Sequence, residues 1–242
     1  MGRNPELQNS KSKGKAFILS CISYKGGVGK TTLAQNIAVA FAHSGRKVCI
    51  VDCDDSLNSQ DWSKNRGEKS SDLPKIAVIG EKDEDQFPHT IEALSQEYEI
   101  LIIDSPPSQS SISRMVILMS TMIVVPLLAK GSQETNTISQ FVHKIKGLEL
   151  TQKRNIPIYF FLNSFNPRIV HMQSFRDKMA EAFPQHVLQS FFSERKAFYR
   201  ASYFGMGVTE YVQKDGNARK AAREVMALVN ELAAIIGEMG KT

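Results

Sequence analysis

Short, nearly unbroken apolar runs alternate along this chain with stretches whose apolar residues recur every three or four positions. The runs lie near residues 16–23, 47–52, 76–79, 100–104, 122–126 and 156–162, and isoleucine and valine dominate them. A strand with one wet face alternates apolar and polar side chains. Runs without that alternation predict strands covered on both faces. Between them, Leu33, Ala34, Ile37, Ala38 and Phe41 form one helical stripe. Ile138, Phe141, Val142, Ile145 and Leu148 form a second, and Val225, Leu228, Val229, Leu232 and Ile235 a third. Alternating strands and helices with right-handed crossovers predict an α/β fold, a doubly wound and mostly parallel sheet with helices on both faces. Ligands of such sheets bind beyond the carboxyl ends of the strands.

Residues 1–15 are polar, carry lysines and show no periodicity, so a disordered arm is expected there. Residues 16–242 show neither a repeat nor a linker and are read as one domain, a length that can bury a substantial core.

The strand ends carry the chemistry. Directly after the first run comes Lys25-Gly26-Gly27-Val28-Gly29-Lys30-Thr31-Thr32. Glycines let a backbone curl so that successive N–H groups face phosphate oxygens, and a following helix adds its positive end. Lys30 is placed to reach the terminal phosphates, and the Thr31 hydroxyl to ligate Mg²⁺. The second run ends in Asp52-Cys53-Asp54-Asp55, and the fourth in Asp104-Ser105-Pro106-Pro107. Phosphoryl transfer to water needs a group that aligns the water and charges that neutralise the transition state. Asp54 suits the first task, with helix capping as the plainer alternative for the acids after Asp52. Asp104, at the end of a hydrophobic strand downstream of a phosphate loop, suits a Mg²⁺ held through water. Asn163 follows the sixth run; its amide can pair with a purine edge or simply close a turn.

The loop departs from the general pattern G-x-x-x-x-G-K-[ST]: Tyr24 stands at the first glycine position, with Lys25 beside it. In this it resembles the deviant phosphate loop of the ParA/MinD family, which includes plasmid and chromosome partition ATPases. The Asp104-Ser105-Pro106-Pro107 ending is similar to the family's Asp-x-Pro-Pro, and residues 195–211 resemble its Arg…Tyr…Gly-x-x-Val region. The resemblance covers about residues 16–238 and implies a P-loop nucleotidase that uses ATP and Mg²⁺. It implies that Lys25 reaches the nucleotide of the other subunit in an ATP-dependent homodimer. It further implies that Asp54 orients the attacking water, that Asp52 lies nearer the metal with Thr31 and Asp104, and that Asn163 meets the adenine. The family usually continues its acidic pair with Pro-Gln, whereas this chain has Asp55-Ser56, which bears on loop geometry and turnover.

Net charge is +5, too modest for a general nucleic-acid coat. Its distribution matters more. Residues 81–99 hold seven acids against one lysine, whereas 193–223 hold seven Lys/Arg against three acids. Arg195, Lys196, Arg200, Arg219, Lys220 and Arg223 are the candidate contacts to DNA phosphates, either there or on a plain solvated face. With the resemblance, they imply sequence-independent DNA binding by a short-form partition ATPase, nucleoid-associated in the cytoplasm. A ParB-like or smaller adaptor would be its cargo-bound partner. The same switch could instead position a chemoreceptor array, a microcompartment or conjugation machinery. A MinD-like membrane-surface ATPase would need a basic amphipathic tail, and residues 231–242 carry a single lysine against two glutamates. No stable membrane association is therefore expected. Three cysteines without metal spacing suit buried positions in a reducing compartment, not a cluster-bearing metabolic enzyme of the same fold.

Overall fold

The computed structural model describes residues 15–54, 58–69, 72–107, 110–129, 133–153 and 155–239. The expected arm up to residue 14 and the Asp55-Ser56 departure lie outside these residues. Strand β1 (Phe17–Ser23) leads into helix α1 (Lys30–His43), followed by β2 (Val48–Asp52), α2 (Asn58–Lys69) and β3 (Ala77–Gly80). Helix α3 (Phe87–Glu97), β4 (Ile100–Pro107), α4 (Ser111–Met119), β5 (Met122–Leu128) and α5 (Gln133–Gln152) continue the alternation. The last part comprises β6 (Ile158–Asn163), α6 (Val170–Ala182), β7 (Val187–Phe191), α7 (Lys196–Tyr203), α8 (Val208–Tyr211) and α9 (Arg219–Met239).

All strand pairings are parallel, in the order β3-β2-β4-β1-β5-β6-β7. The chain winds outward from β1 to β3, returns to insert β4 beside β1, then builds the other half. Six of these seven strands are the six apolar runs. The seventh, β7, is an edge strand whose Gln189 faces solvent.

Alternate side chains of the inner strands enter two separate cores. Leu19, Ile50, Ile102 and Val124 pack on one face against α1 and against Leu228 and Leu232 of α9. Ile18, Val51, Ile103 and Val125 pack on the other against Phe87, Val116, Ile138 and Phe175 of α3 to α6. Each such fully buried aliphatic contributes about 1.5–3 kcal/mol, which is why these strands tolerate no polar face. The three stripes expected as helices are α1, α5 and α9. Packing the sheet from both sides brings the carboxyl ends of β1, β2 and β4 side by side. Asp52 is the register partner of Asp104, and Asp104 that of Cys21.

Candidate functional site

The turn after β1 starts at Ser23, whose hydroxyl donates to the Lys25 carbonyl at 2.6 Å. The loop closes at Gly29, with φ of +96°, in the left-handed region that side chains disfavour. A Cβ there would also collide with the Asn163 amide. That amide donates from Nδ2 to the Val28 carbonyl at 2.8 Å. Asn163, at the end of β6, thus fastens the loop.

Helix α1 begins at Lys30 with no side-chain cap from Gly29 and no acid in its first turn. Its first amides and the positive end of its dipole therefore meet neither that cap nor an acid of the helix's own first turn. Lys30 lies close enough to bias the Asp104 charge, though only 6% of its surface is exposed.

The acids are arranged in depth. Asp52 is fully buried and accepts from the Asp54 amide at 3.2 Å on Oδ1 and from the Ser59 amide at 2.9 Å on Oδ2. A further bond comes from the Gln60 amide. Asp52 therefore caps α2 and shapes the turn that carries Asp54, which is partly exposed. Burial pushes the Asp52 carboxyl upward, against these amides. Asp104 accepts from the Ser59 hydroxyl on Oδ2 at 3.1 Å, and its Oδ1 has no hydrogen-bond partner despite full burial. Burial, reinforced by Asp52 and opposed by Thr31, Ser59 and Lys30, pushes the Asp104 carboxyl up to about 7.

An orphaned carboxylate oxygen beside a threonine hydroxyl fits a hydrated Mg²⁺, whose bound water would supply the missing donor. Such a site needs no protein cage. Among the described residues no three His, Cys, Asp or Glu side chains gather around a common point.

A cleft of about 510 Å³ opens from this point. Thr31 and Thr32 line it beside the loop, together with Asn163 and Ser164, and with Ser193, Glu194 and Arg195. Asn58, Asp61, Trp62 and Asn65 of α2 face Tyr199 and Tyr203 of α7 across the rest. Its volume suits a nucleotide.

Residues 19–208 match the family model described as the CobQ/CobB/MinD/ParA nucleotide binding domain. The chain belongs to this family. Among its relatives is the maintenance of carboxysome distribution protein A of Gloeobacter kilaueensis, 25% identical over 89% of this chain and 93% of that protein. The chromosome-partitioning ATPase Soj of Thermus thermophilus is 24% identical over 90% of this chain and 99% of its own. The fold of Pyrococcus horikoshii MinD complexed with Mg-ADP superposes with a TM-score of 0.66 at 20% identity, covering 92% and 98% of the two chains. The family assignment and the doubly wound parallel sheet agree with the reading of the sequence, which places six of the seven strands.

The expected site residues fall into two groups. Gly26 to Thr32, Asp52, Asp54, Asp104 and Asn163 share the carboxyl edge of the sheet with Lys25, which lies 5.3 Å from the centre of the Tyr24 ring. The basic residues are dispersed. Arg195 lines the cleft and pairs with Glu224 of α9 at 2.7 Å, and Arg200 pairs with Asp215 at 3.3 Å. Lys196, Arg219, Lys220 and Arg223 are exposed.

Ser59 and the wall formed by Ser193 and Glu194 were not singled out in the sequence. Ser59 sits in a polar stretch without periodicity, and the wall follows the one strand that had been missed. Among the described residues no helix is long and apolar enough to cross a membrane.

Proposed function

We propose that this member of the ParA/MinD-like ATPases binds ATP with Mg²⁺, pairs face to face across the nucleotide, binds DNA without sequence preference and hydrolyses ATP to reset. The observation that carries the reading is the double-lysine loop set against the Asp52–Asp104 pair. Lys30 and the amides of α1 would hold the phosphates, and Thr31 with Asp104 would hold the metal. Mg²⁺, when bound, neutralises phosphate charge and templates the in-line geometry. Asp54, on a turn shaped by Asp52, would orient the attacking water. Asn163 and the Ser193–Arg195 wall would flank the base.

Lys25 would complete the site of a second subunit, so that dimerisation and hydrolysis are linked. A cargo-bound adaptor of ParB-like type would then stimulate turnover, releasing the dimer from the nucleoid. DNA binding measured with ATP, ADP and no nucleotide tests the switch: binding confined to ATP supports it, and equal binding in all three states overturns it. Lys25→Ala should bind ATP as a monomer and lose both the dimer and turnover in light-scattering and phosphate-release assays.

The similarity to a carboxysome distribution protein favours a second reading, in which the same switch spaces a protein cargo along DNA. A deletion strain separates the two. Loss of plasmid or chromosome copies supports partition, and faithful segregation with a misplaced protein assembly supports the second reading.

A further inference from the structure

Ser59 touches both buried acids with two different groups. Its amide donates to Asp52 Oδ2 at 2.9 Å, and its hydroxyl donates to Asp104 Oδ2 at 3.1 Å. It is itself fully buried, at the first turn of α2. The hydroxyl bond occupies one carboxylate oxygen of Asp104 and leaves the other, Oδ1, without a partner. A carboxylate on a strand end can rotate about its terminal torsion. The Ser59 hydroxyl, together with the Thr31 side chain that also bonds Asp104, restrains that rotation and bears on which lone pairs stay available for a cation's water.

We propose that Ser59 is a positioning residue: it orients the Asp104 carboxylate so that Oδ1 meets the hydration shell of the Mg²⁺ that accompanies ATP. The inference rests on the nucleotide-site reading above and adds to it a side chain outside the phosphate loop and the acidic pair. It assigns a consequence to the site of α2 as well. Because Asp52 holds the Ser59 amide, the start of α2 and the metal acid are positioned together.

Partners that orient a metal's own ligands usually change metal affinity 10–100-fold when removed. The test is a Mg²⁺ titration of the binding of a fluorescent ATP analogue, with thermal melting as a check of the fold. In EDTA, Ser59→Ala should bind the analogue as the parent does, since the phosphate amides and Lys30 are untouched. With Mg²⁺, its midpoint should rise about tenfold, and Ser59→Thr, which keeps the hydroxyl, should return it towards that of the parent. An Ala variant with the parent's midpoint overturns the positioning role alone. So does a folded Thr variant that behaves like Ala. A parent whose analogue binding ignores Mg²⁺ overturns the underlying nucleotide-site reading together with it.

Discussion

Arg66 and Glu210, 144 residues apart in the chain, meet in a buried two-pronged ion pair, with Nη1 to Oε2 at 2.9 Å and Nη2 to Oε1 at 2.8 Å. The remaining guanidinium donors go to the carbonyls of Pro74 and Gly205, so every N–H of Arg66 is taken. Glu210 also accepts from the Gly207 amide and pairs with His43 at 2.7 Å. Gly205, with φ of +65°, lies so close to the Arg66 backbone that a Cβ would overlap it. Trp62 adds a bond from Nε1 to the Met206 carbonyl at 3.3 Å. Helix α2 is thereby clamped at its far end to the segment between α7 and α8, while its near end holds the acids of the site.

Removing one partner leaves the other charge buried. Glu210→Gln should cost about 3–5 kcal/mol in equilibrium unfolding, and replacing both partners by apolar residues should cost less than either single change. The pair also predicts a pH dependence. Burial alone would raise the Glu210 carboxyl, but Arg66 and His43 overcome it and hold it at about 2, against 4.5 when free. A depressed acid contributes stability above its unfolded value and loses it as pH falls through the folded one. About 3 kcal/mol should therefore disappear between roughly pH 4.5 and pH 2, a loss missing from the Gln variant.

Asp104 has the opposite sign. Its folded carboxyl titrates at about 7, above the free value of 3.8. The folded metal-free protein therefore holds the proton more tightly than the unfolded chain, and stability declines as pH rises from about 4 to about 7. Asp104→Asn should melt higher than the parent at pH 8 without Mg²⁺, while losing Mg²⁺-dependent ATP hydrolysis. A lower melting temperature would show that the buried carboxylate is already compensated without a metal.

The inner strands and the phosphate loop were legible because their signals are local. Continuous apolar runs marked β1 to β6, and one short string marked the loop. What was not legible depends on distant partners. Helix α2 reads Asn58-Ser-Gln-Asp-Trp-Ser-Lys-Asn-Arg-Gly-Glu-Lys69, with Trp62 as its one large apolar residue. Its burial rests on Arg66 finding Glu210, which no periodicity can show. Strand β7 escaped because Gln189 and Ser190 interrupt its five residues. The residues beyond it read as a basic surface and, at 195–211, as a family-like segment, neither of which shows that Arg195 lines the cleft. The cap on α2 likewise involves Asp52, seven residues before Ser59, whose carboxylate accepts from the Ser59 amide.

Gly29 offers a sharp test of the loop. Alanine there would be strained by the backbone conformation and would displace the Asn163 amide from Val28. Gly29→Ala should lower ATP affinity at least tenfold by calorimetry while the sheet, judged by circular dichroism, persists. Asn163→Ala should weaken binding less, because it removes the clasp without straining the loop. Equal affinities for parent and Gly29→Ala would show that the phosphate amides do not depend on this turn.

DNA binding is the prediction with the most distant reach, and the structure divides the six basic residues unevenly. Arg195 and Arg200 pair with Glu224 and Asp215, so reversing their charge would set like charges against each other and complicate the result. Arg219, Lys220 and Arg223 are exposed in the first turns of α9, with no carboxylate partner among the described residues. Three phosphate contacts per subunit become six in a dimer, which lets ATP raise affinity without new chemistry. Neutralising about six phosphates predicts that affinity falls by about three orders of magnitude between 50 and 200 mM salt. Replacing all three residues by Glu should abolish ATP-dependent binding to unrelated DNA sequences alike, with dimerisation and basal ATPase retained. If the triple variant binds like the parent, the contact surface lies elsewhere, and Lys196 on α7 is the next residue to reverse. If the parent binds no DNA in any nucleotide state, the partition reading fails while the nucleotide site stands.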